Sequence, residues 1–227
     1  MKKLLFILTF LIFNFGSAQV APPKRIPPPS DYQREIDSVN AIALRFLVQE
    51  KIPGMTIAIS KNGDMLYSEG FGYANIDTKD TITSSTLFAI GSVTKQFTAT
   101  AIMILHENGK LSVNDGIGKY LSVPSTMHDI PIKNFMNMTS GIFNYWENDV
   151  PCNRDSILAF HFDGDTLYFP TNTKFHYNNS NYFFLGLVIE SVSGMSYGDF
   201  LRENIFPPAG MKNSFIYPPD SAIRAIG

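Results

Sequence analysis

Ser92 and Lys95 form the only Ser-x-x-Lys in the chain, and a hydroxyl three residues before an amine is a starting point for nucleophilic acyl transfer. A serine is a poor nucleophile until a neighbouring base takes its proton. At the opening of a helix, i and i+3 spacing puts both groups on one face. Free backbone N–H groups and the positive dipole end then surround the serine. In that setting Lys95 can take the serine proton directly or relay it. The competing reading is a helix-capping serine with a lysine that snorkels to water.

Tyr177-Asn178-Asn179 offers the other half of such chemistry. A phenol ordinarily titrates near ~10, and a nearby ammonium pulls that value down, so Tyr177 can act first as general base and then as acid to the leaving group. Asn179 offers an amide to a substrate carbonyl or to Lys95. Taken alone, these three residues make only a turn. A rival, Gly194-Met195-Ser196-Tyr197-Gly198, fits the G-x-S-x-G pattern, but a nucleophile elbow needs a strand before its serine and a histidine after it. Leu185 to Val192 looks helical and all four histidines lie upstream, so Ser196 is expected to cap a helix that follows a stop at Gly194. His106, His128, His161 and His176 include no pair at i, i+4, and Cys152 is the single thiol. No metal and no cofactor are therefore expected.

The elements that must position these groups can be read from periodicity. Ser30 or Asp31 is expected to cap a helix with Ile36, Val39, Ala43, Leu44, Phe46 and Leu47 on its apolar side, closed by Pro53-Gly54. Alternating residues from Met55 to Ser60, then Asn62-Gly63, then Met65 to Tyr67 predict a β-hairpin that Gly70 and Gly72 continue to Tyr73. Leu87 to Ile90 is expected to be a short strand or an extended lead-in. A helix from Ser92 to Glu107 follows, with Phe97, Ala101, Ile104 and Leu105 on one face and Asn108-Gly109 as its stop. Further helical pieces are expected near Ile132 to Met138, Asp155 to His161, Ser180 to Ser193 and Ser196 to Ile205.

The 227 residues are 44% hydrophobic and 17% charged, which excludes a disordered chain and allows one domain or a compact pair. Lys plus Arg number 18 against 20 Asp plus Glu with no run of five like charges, so nucleic acid is not an expected partner. Lys2 and Lys3, the apolar stretch Leu4 to Phe15, and Gly16-Ser17-Ala18 resemble a secretory signal cleaved after Ala18. Cleavage would remove two lysines and no acid, leaving a mildly acidic chain without a stable membrane span. Pro22, Pro23 and Pro27 to Pro29 predict an extended tether. The lone cysteine can form no internal disulfide. The expected division is residues 1–18 signal peptide, 19–30 Pro-rich tether, 31–91 N-terminal part of an α/β domain with helix and hairpin, and 92–227 nucleophile helix with a mainly helical region.

Ile90-Gly91-Ser92-Val93-Thr94-Lys95-Gln96-Phe97-Thr98-Ala99 and Glu107-Asn108-Gly109-Lys110-Leu111 resemble the serine β-lactamase-related hydrolases, which comprise class C β-lactamases, D-Ala-D-Ala peptidases and related esterases. Thr139-Ser140-Gly141-Ile142, Lys174-Phe175-His176-Tyr177-Asn178-Asn179, and Asn204-Ile205-Phe206-Pro207 with Gly210-Met211 continue the resemblance over about residues 53–217. It implies an α/β (α+β) fold in which an antiparallel sheet packs with helices beside a mainly helical region. Ser92, Lys95 and Tyr177 would be catalytic, and Asn179 would bind substrate. Met138 stands where the family usually has His, and Thr171-Asn172 where it usually has Pro-Gly. The family's third motif, Lys or His, then Thr or Ser, then Gly, is not found before Gly227. In the family that strand supplies one backbone N–H of the oxyanion hole, a donor worth roughly 10² to 10³ in turnover.

The expectation is a truncated member of this family, lacking the C-terminal strands. It would be an exported, periplasmic or extracellular serine hydrolase of a β-lactam, a D-Ala-D-Ala peptide or an ester. Its partner would be a small-molecule or peptide substrate, and no sequence feature points to an oligomeric state. The alternative is a non-catalytic exported binding or sensor module, or a remnant that keeps the scaffold.

Overall fold

The computed structural model describes residues 32–163 and 167–216, together with the backbone of Lys24–Arg25. The expected signal at 1–18, most of the tether at 19–30, and the side chains of Ser30 and Asp31 lie outside the described residues. The chain divides into two compact units, Met1–Ile90 and Gly91–Gly227. The first carries every described strand and the second is helical, an α+β organisation.

In the first unit, helix α1 (Gln33–Gln49) buries Ile36, Ala43 and Leu47, which pack with Tyr67 and Phe71 of the sheet. Its N-cap position is Tyr32, without a side-chain cap bond, rather than the expected Ser30 or Asp31. Strands β2 (Gly54–Lys61) and β3 (Asp64–Asn75) form the predicted hairpin. Asn62 and Gly63 have φ of +55° and +90°, the two positive values that match a two-residue turn to strand twist. A bulge follows, since Ile59 pairs with Tyr67 but Ser60 with Met65. Gly72 has to be glycine: its φ is +75°, and a Cβ there would run into the Pro53 carbonyl.

Two corrections arise here. Strand β1 (Lys24–Arg25) pairs antiparallel with β3 at Gly70 and Glu69, so part of the expected tether is sheet. Lys24 and Arg25 lie between Pro23 and Pro27 and keep the N–H groups that proline lacks. Strand β4 (Asp80–Thr81) also pairs with β3, whereas Leu87 to Ile90 forms no strand. None of those four residues is buried, and an apolar run without a partner edge does not make a ladder.

In the second unit a 3₁₀ turn (Gly91–Thr94) leads into α2 (Lys95–Glu107). Short helices α3 (Ser125–His128) and α4 (Ile132–Met136) follow, then α5 (Arg154–Asp163), α6 (Asn179–Ser193) and α7 (Tyr197–Asn204). Every residue of α6 from Ser180 to Ile189 is buried, as a helix apolar on all sides must be. Helices α2, α4 and α7 pack on it. Gly194, at φ +71°, ends α6, and the Ser196 Oγ accepts the Asp199 N–H at 3.1 Å to start α7. That is the expected cap, and with a helix before Ser196 the elbow reading fails.

His161, in the last turn of α5, is 3% exposed, and its Nε2 has no hydrogen-bond partner among the described residues. Burial pushes the imidazole down to about 4. Between that value and the ordinary ~6.5 of an unfolded chain, the unfolded state binds the extra proton, so stability falls as pH drops through this window. The full loss is about 3 kcal/mol. A His161→Leu variant followed by denaturant melts from pH 7 to 4 is expected to lose less stability than the parent, and parallel curves would refute the assignment.

Candidate active site

The Ser92 Oγ accepts a hydrogen bond from the Tyr177 hydroxyl at 2.7 Å and another from the Lys95 ammonium at 3.1 Å. The same ammonium donates to the Asn179 Oδ1 at 3.0 Å. All four residues proposed from the sequence therefore meet, although 85 residues separate Ser92 from Tyr177.

Local structure explains the first pair. Ser92 lies in the 3₁₀ turn, not in the α-helix expected from Ser92 onward, and 3₁₀ geometry eclipses side chains at i and i+3. Gly91, at φ +50°, sends the chain into that turn. The buried face of α2 is centred on Thr98, Ala101, Ile102 and Leu105, while Phe97 and Ile104 are only partly buried. Lys95 falls on that stripe and is 7% exposed, so it does not snorkel. Ser92 itself is exposed. A reachable hydroxyl thus stands above a buried amine.

The second pair is set by the start of α6. Asn178 is extended and accepts the Ser180 N–H at 2.7 Å as N-cap, while its amide nitrogen donates to the Ile142 carbonyl at 2.7 Å. Asn179 is consequently the first residue of α6 rather than the last of a loop. Tyr182, one helical turn on, brings its ring to 5.6 Å from the Lys95 Nζ, and the Tyr177 ring lies at 5.0 Å. Sequence reasoning overlooked both Tyr182 and the Asn178 cap. The i, i+3 relation to Asn179 was the available signal for the first, and an Asn before an apolar helix for the second.

The residues that replace the family's usual His and Pro-Gly do structural work. Met138 has φ +62°; its carbonyl accepts the His176 N–H at 2.9 Å, and its sulfur lies 3.4 Å from both the Asn178 N and the Asn181 Nδ2, which donate to it. Asn172 takes φ +68°, a conformation Asn tolerates. Gly141, at φ +86°, lies where a Cβ would meet the Phe169 carbonyl. The neighbouring Ser140 Oγ is buried and donates to the Asn181 Oδ1 at 2.5 Å.

Electrostatically, partial burial alone would raise the Tyr177 phenol, but hydrogen bonds with Lys95 and Ser92 and the charge of Lys95 outweigh it. The net result is a value below the ordinary 10. Tyr182 moves the other way, raised by burial and then by the charge of Tyr177. A hydroxyl rotates freely, so once Tyr177 is ionised the Ser92 O–H can turn to donate to it. That arrangement is competent for proton removal from an exposed alcohol. Among the described residues no group of His, Cys, Asp and Glu could hold a metal ion.

The fold is an antiparallel sheet with helices, and its helical unit brings Ser92, Lys95, Tyr177 and Asn179 together. The family profile described as Beta-lactamase matches residues 35–226, and the chain belongs to that family. Penicillin-binding protein 4* of Bacillus subtilis (strain 168) is 34% identical over 171 residues, covering 71% of this chain and 38% of that protein. Protein flp of Staphylococcus aureus (strain MW2) is 31% identical over 194 residues, covering 82% and 38%. Among solved structures, an octameric penicillin-binding protein homologue from Pyrococcus abyssi matches with TM-score 0.73 at 30% identity, over 78% of this chain and 44% of that one. A class C beta-lactamase in complex with cefoxitin matches with TM-score 0.73 at 26% identity, over 81% and 51%. The chain thus spans 38% of the length of these curated relatives.

Proposed function

We propose that the chain carries the acylation half of a serine hydrolase of amide or ester bonds. Ser92 attacks the carbonyl and forms the acyl-enzyme, Lys95 and Tyr177 share its proton, and Tyr177 returns the proton to the leaving group. Asn179, its oxygen held by Lys95, keeps its NH₂ end for the substrate. The observation that carries this reading is the double contact of the Ser92 Oγ, at 2.7 Å from Tyr177 and 3.1 Å from Lys95. Relatives described as penicillin-binding proteins and beta-lactamases support a β-lactam as substrate class; a D-Ala-D-Ala peptide or a simple ester follows only from the resemblance of the motifs. A fluorescent penicillin and an activated ester, each offered to the parent and to Ser92→Ala, test it. Covalent label on the parent and none on the variant is expected; an unlabelled parent refutes the proposal.

Export fits the same reading. It rests on Lys2, Lys3, Leu4 to Phe15 and Gly16-Ser17-Ala18. No helix among the described residues is long and apolar enough to cross a membrane. N-terminal sequencing of the extracytoplasmic protein should begin at Gln19, and an intact Met1 in the cytoplasm would contradict it.

A further inference from the structure

Tyr177 is 46% exposed, and it lies on a stretch with neither helix nor turn. An exposed phenol on such backbone needs something else to hold it over Ser92. The backbone on either side is fastened to Met138, through the His176 N–H to its carbonyl at 2.9 Å and the Asn178 N–H to its sulfur at 3.4 Å. On the far side Asn178 is held as well by its own side chain, which accepts the Ser180 N–H at 2.7 Å and donates to the Ile142 carbonyl at 2.7 Å.

On the near side of Tyr177 the side chain of His176 supplies the matching constraint. The Tyr177 hydroxyl meets Ser92 while the His176 Nε2 lies 3.3 Å from the Glu147 Oε1. The imidazole stands edge-on to Tyr168, with ring centroids 5.5 Å apart, and to Phe169, 6.3 Å apart. Its Nδ1 is buried without a partner among the described residues. A buried bare nitrogen is cheaper than a buried unpaired N–H, which favours the tautomer that keeps its hydrogen on Nε2, facing the carboxylate. Glu147 is itself oriented, because its Oε1 also accepts the Asn144 amide at 3.1 Å.

We propose that His176, through its pairing with Glu147 against Tyr168 and Phe169, is a positioning residue that holds the Tyr177 hydroxyl over Ser92. The inference deepens the acyl-transfer reading and relies on it for rates, though not for the titration of Tyr177. Lys95 is the charged group facing that phenol, with Tyr182 beside it.

The test labels tyrosine at its ζ carbon and follows ionisation by NMR, with Tyr177→Phe identifying the signal. In the parent, Tyr177 should ionise below the ordinary phenol value. In His176→Ala the midpoint should move up towards that value, because a phenol that swings away from Lys95 and Ser92 loses what lowers it. His176→Gln, which keeps an N–H donor within reach of Glu147, should restore the parent midpoint. Glu147→Ala, a surface change that spares the ring stack and removes the acceptor, should shift it in the same direction as His176→Ala. Acylation of Ser92 should fall roughly 10-fold in His176→Ala with KM within about two-fold, since misplacing one reacting group by an ångström costs up to about 10²-fold. An unchanged midpoint in both His176→Ala and Glu147→Ala overturns the proposal. A parent that acylates nothing refutes the hydrolase reading, and the titration then decides the positioning role alone.

Discussion

Replacing Lys95 with arginine is expected to cut acylation of Ser92 by at least about 10³-fold, equivalent to about 4 kcal/mol of barrier. The positive charge survives the change, so the loss would be specific to proton transfer. A guanidinium stays protonated at every working pH and cannot accept the serine proton, directly or as a relay. Geometry adds to this, because the Lys95 Nζ reaches both the Ser92 Oγ at 3.1 Å and the Asn179 Oδ1 at 3.0 Å from a site 7% exposed. A planar fork does not fit that point of convergence. Overpacking should cost about 1–3 kcal/mol of stability, visible as a lower melting temperature. Acylation per folded molecule, scored beside that melt, separates the two effects, and a folded Lys95→Arg protein that acylates at the parent rate would take lysine out of the mechanism.

Tyr177→Phe should lower acylation by roughly 10²- to 10⁴-fold, the range that general acid–base groups contribute. The ring remains to cover the site, so melting should move little: the phenol is 46% exposed and its hydroxyl donates to the exposed Ser92. The pH profile carries the sharper signature. Burial works against ionisation of Tyr177, and the bonds with Lys95 and Ser92 overcome it, leaving the phenol below 10. If the phenolate is the base, parent acylation rises with pH and levels off below the range of a free tyrosine. The Phe variant should lack that limb. An identical limb in both proteins would assign it to another group.

The hairpin was legible because Asn62-Gly63 admits positive φ at both turn positions and the flanking residues alternate. Helix α6 was legible from its continuous apolar run between Asn179 and the Gly194 stop. The 3₁₀ turn was not, since a 3₁₀ turn and an α-helix place Ser92 and Lys95 on one side equally well, and only the fold shows which closes. Strand β1 was hidden by its prolines, whose composition says extended without saying paired. Of the two readings that Leu87 to Ile90 admits, a strand or an extended lead-in, the strand does not form, because hydrophobicity alone names no partner edge. Within the site, residue types disclosed the chemistry of Ser92, Lys95 and Tyr177, but no periodicity spans the 84 residues between Lys95 and Asn179. Their meeting was legible through the family resemblance. Met138 was read only as a departure, and its left-handed backbone and acceptor sulfur depend on neighbours that spacing does not reveal.

Peptide mass mapping after incubation with a penicillin or an activated ester bears most directly on the central claim. The account predicts a single acyl adduct on the peptide that contains Ser92, with fragment ions assigning it to that side chain, and no adduct in Ser92→Ala. An adduct on Lys95, Tyr177, Cys152 or any other residue, or no adduct on folded protein, would contradict it.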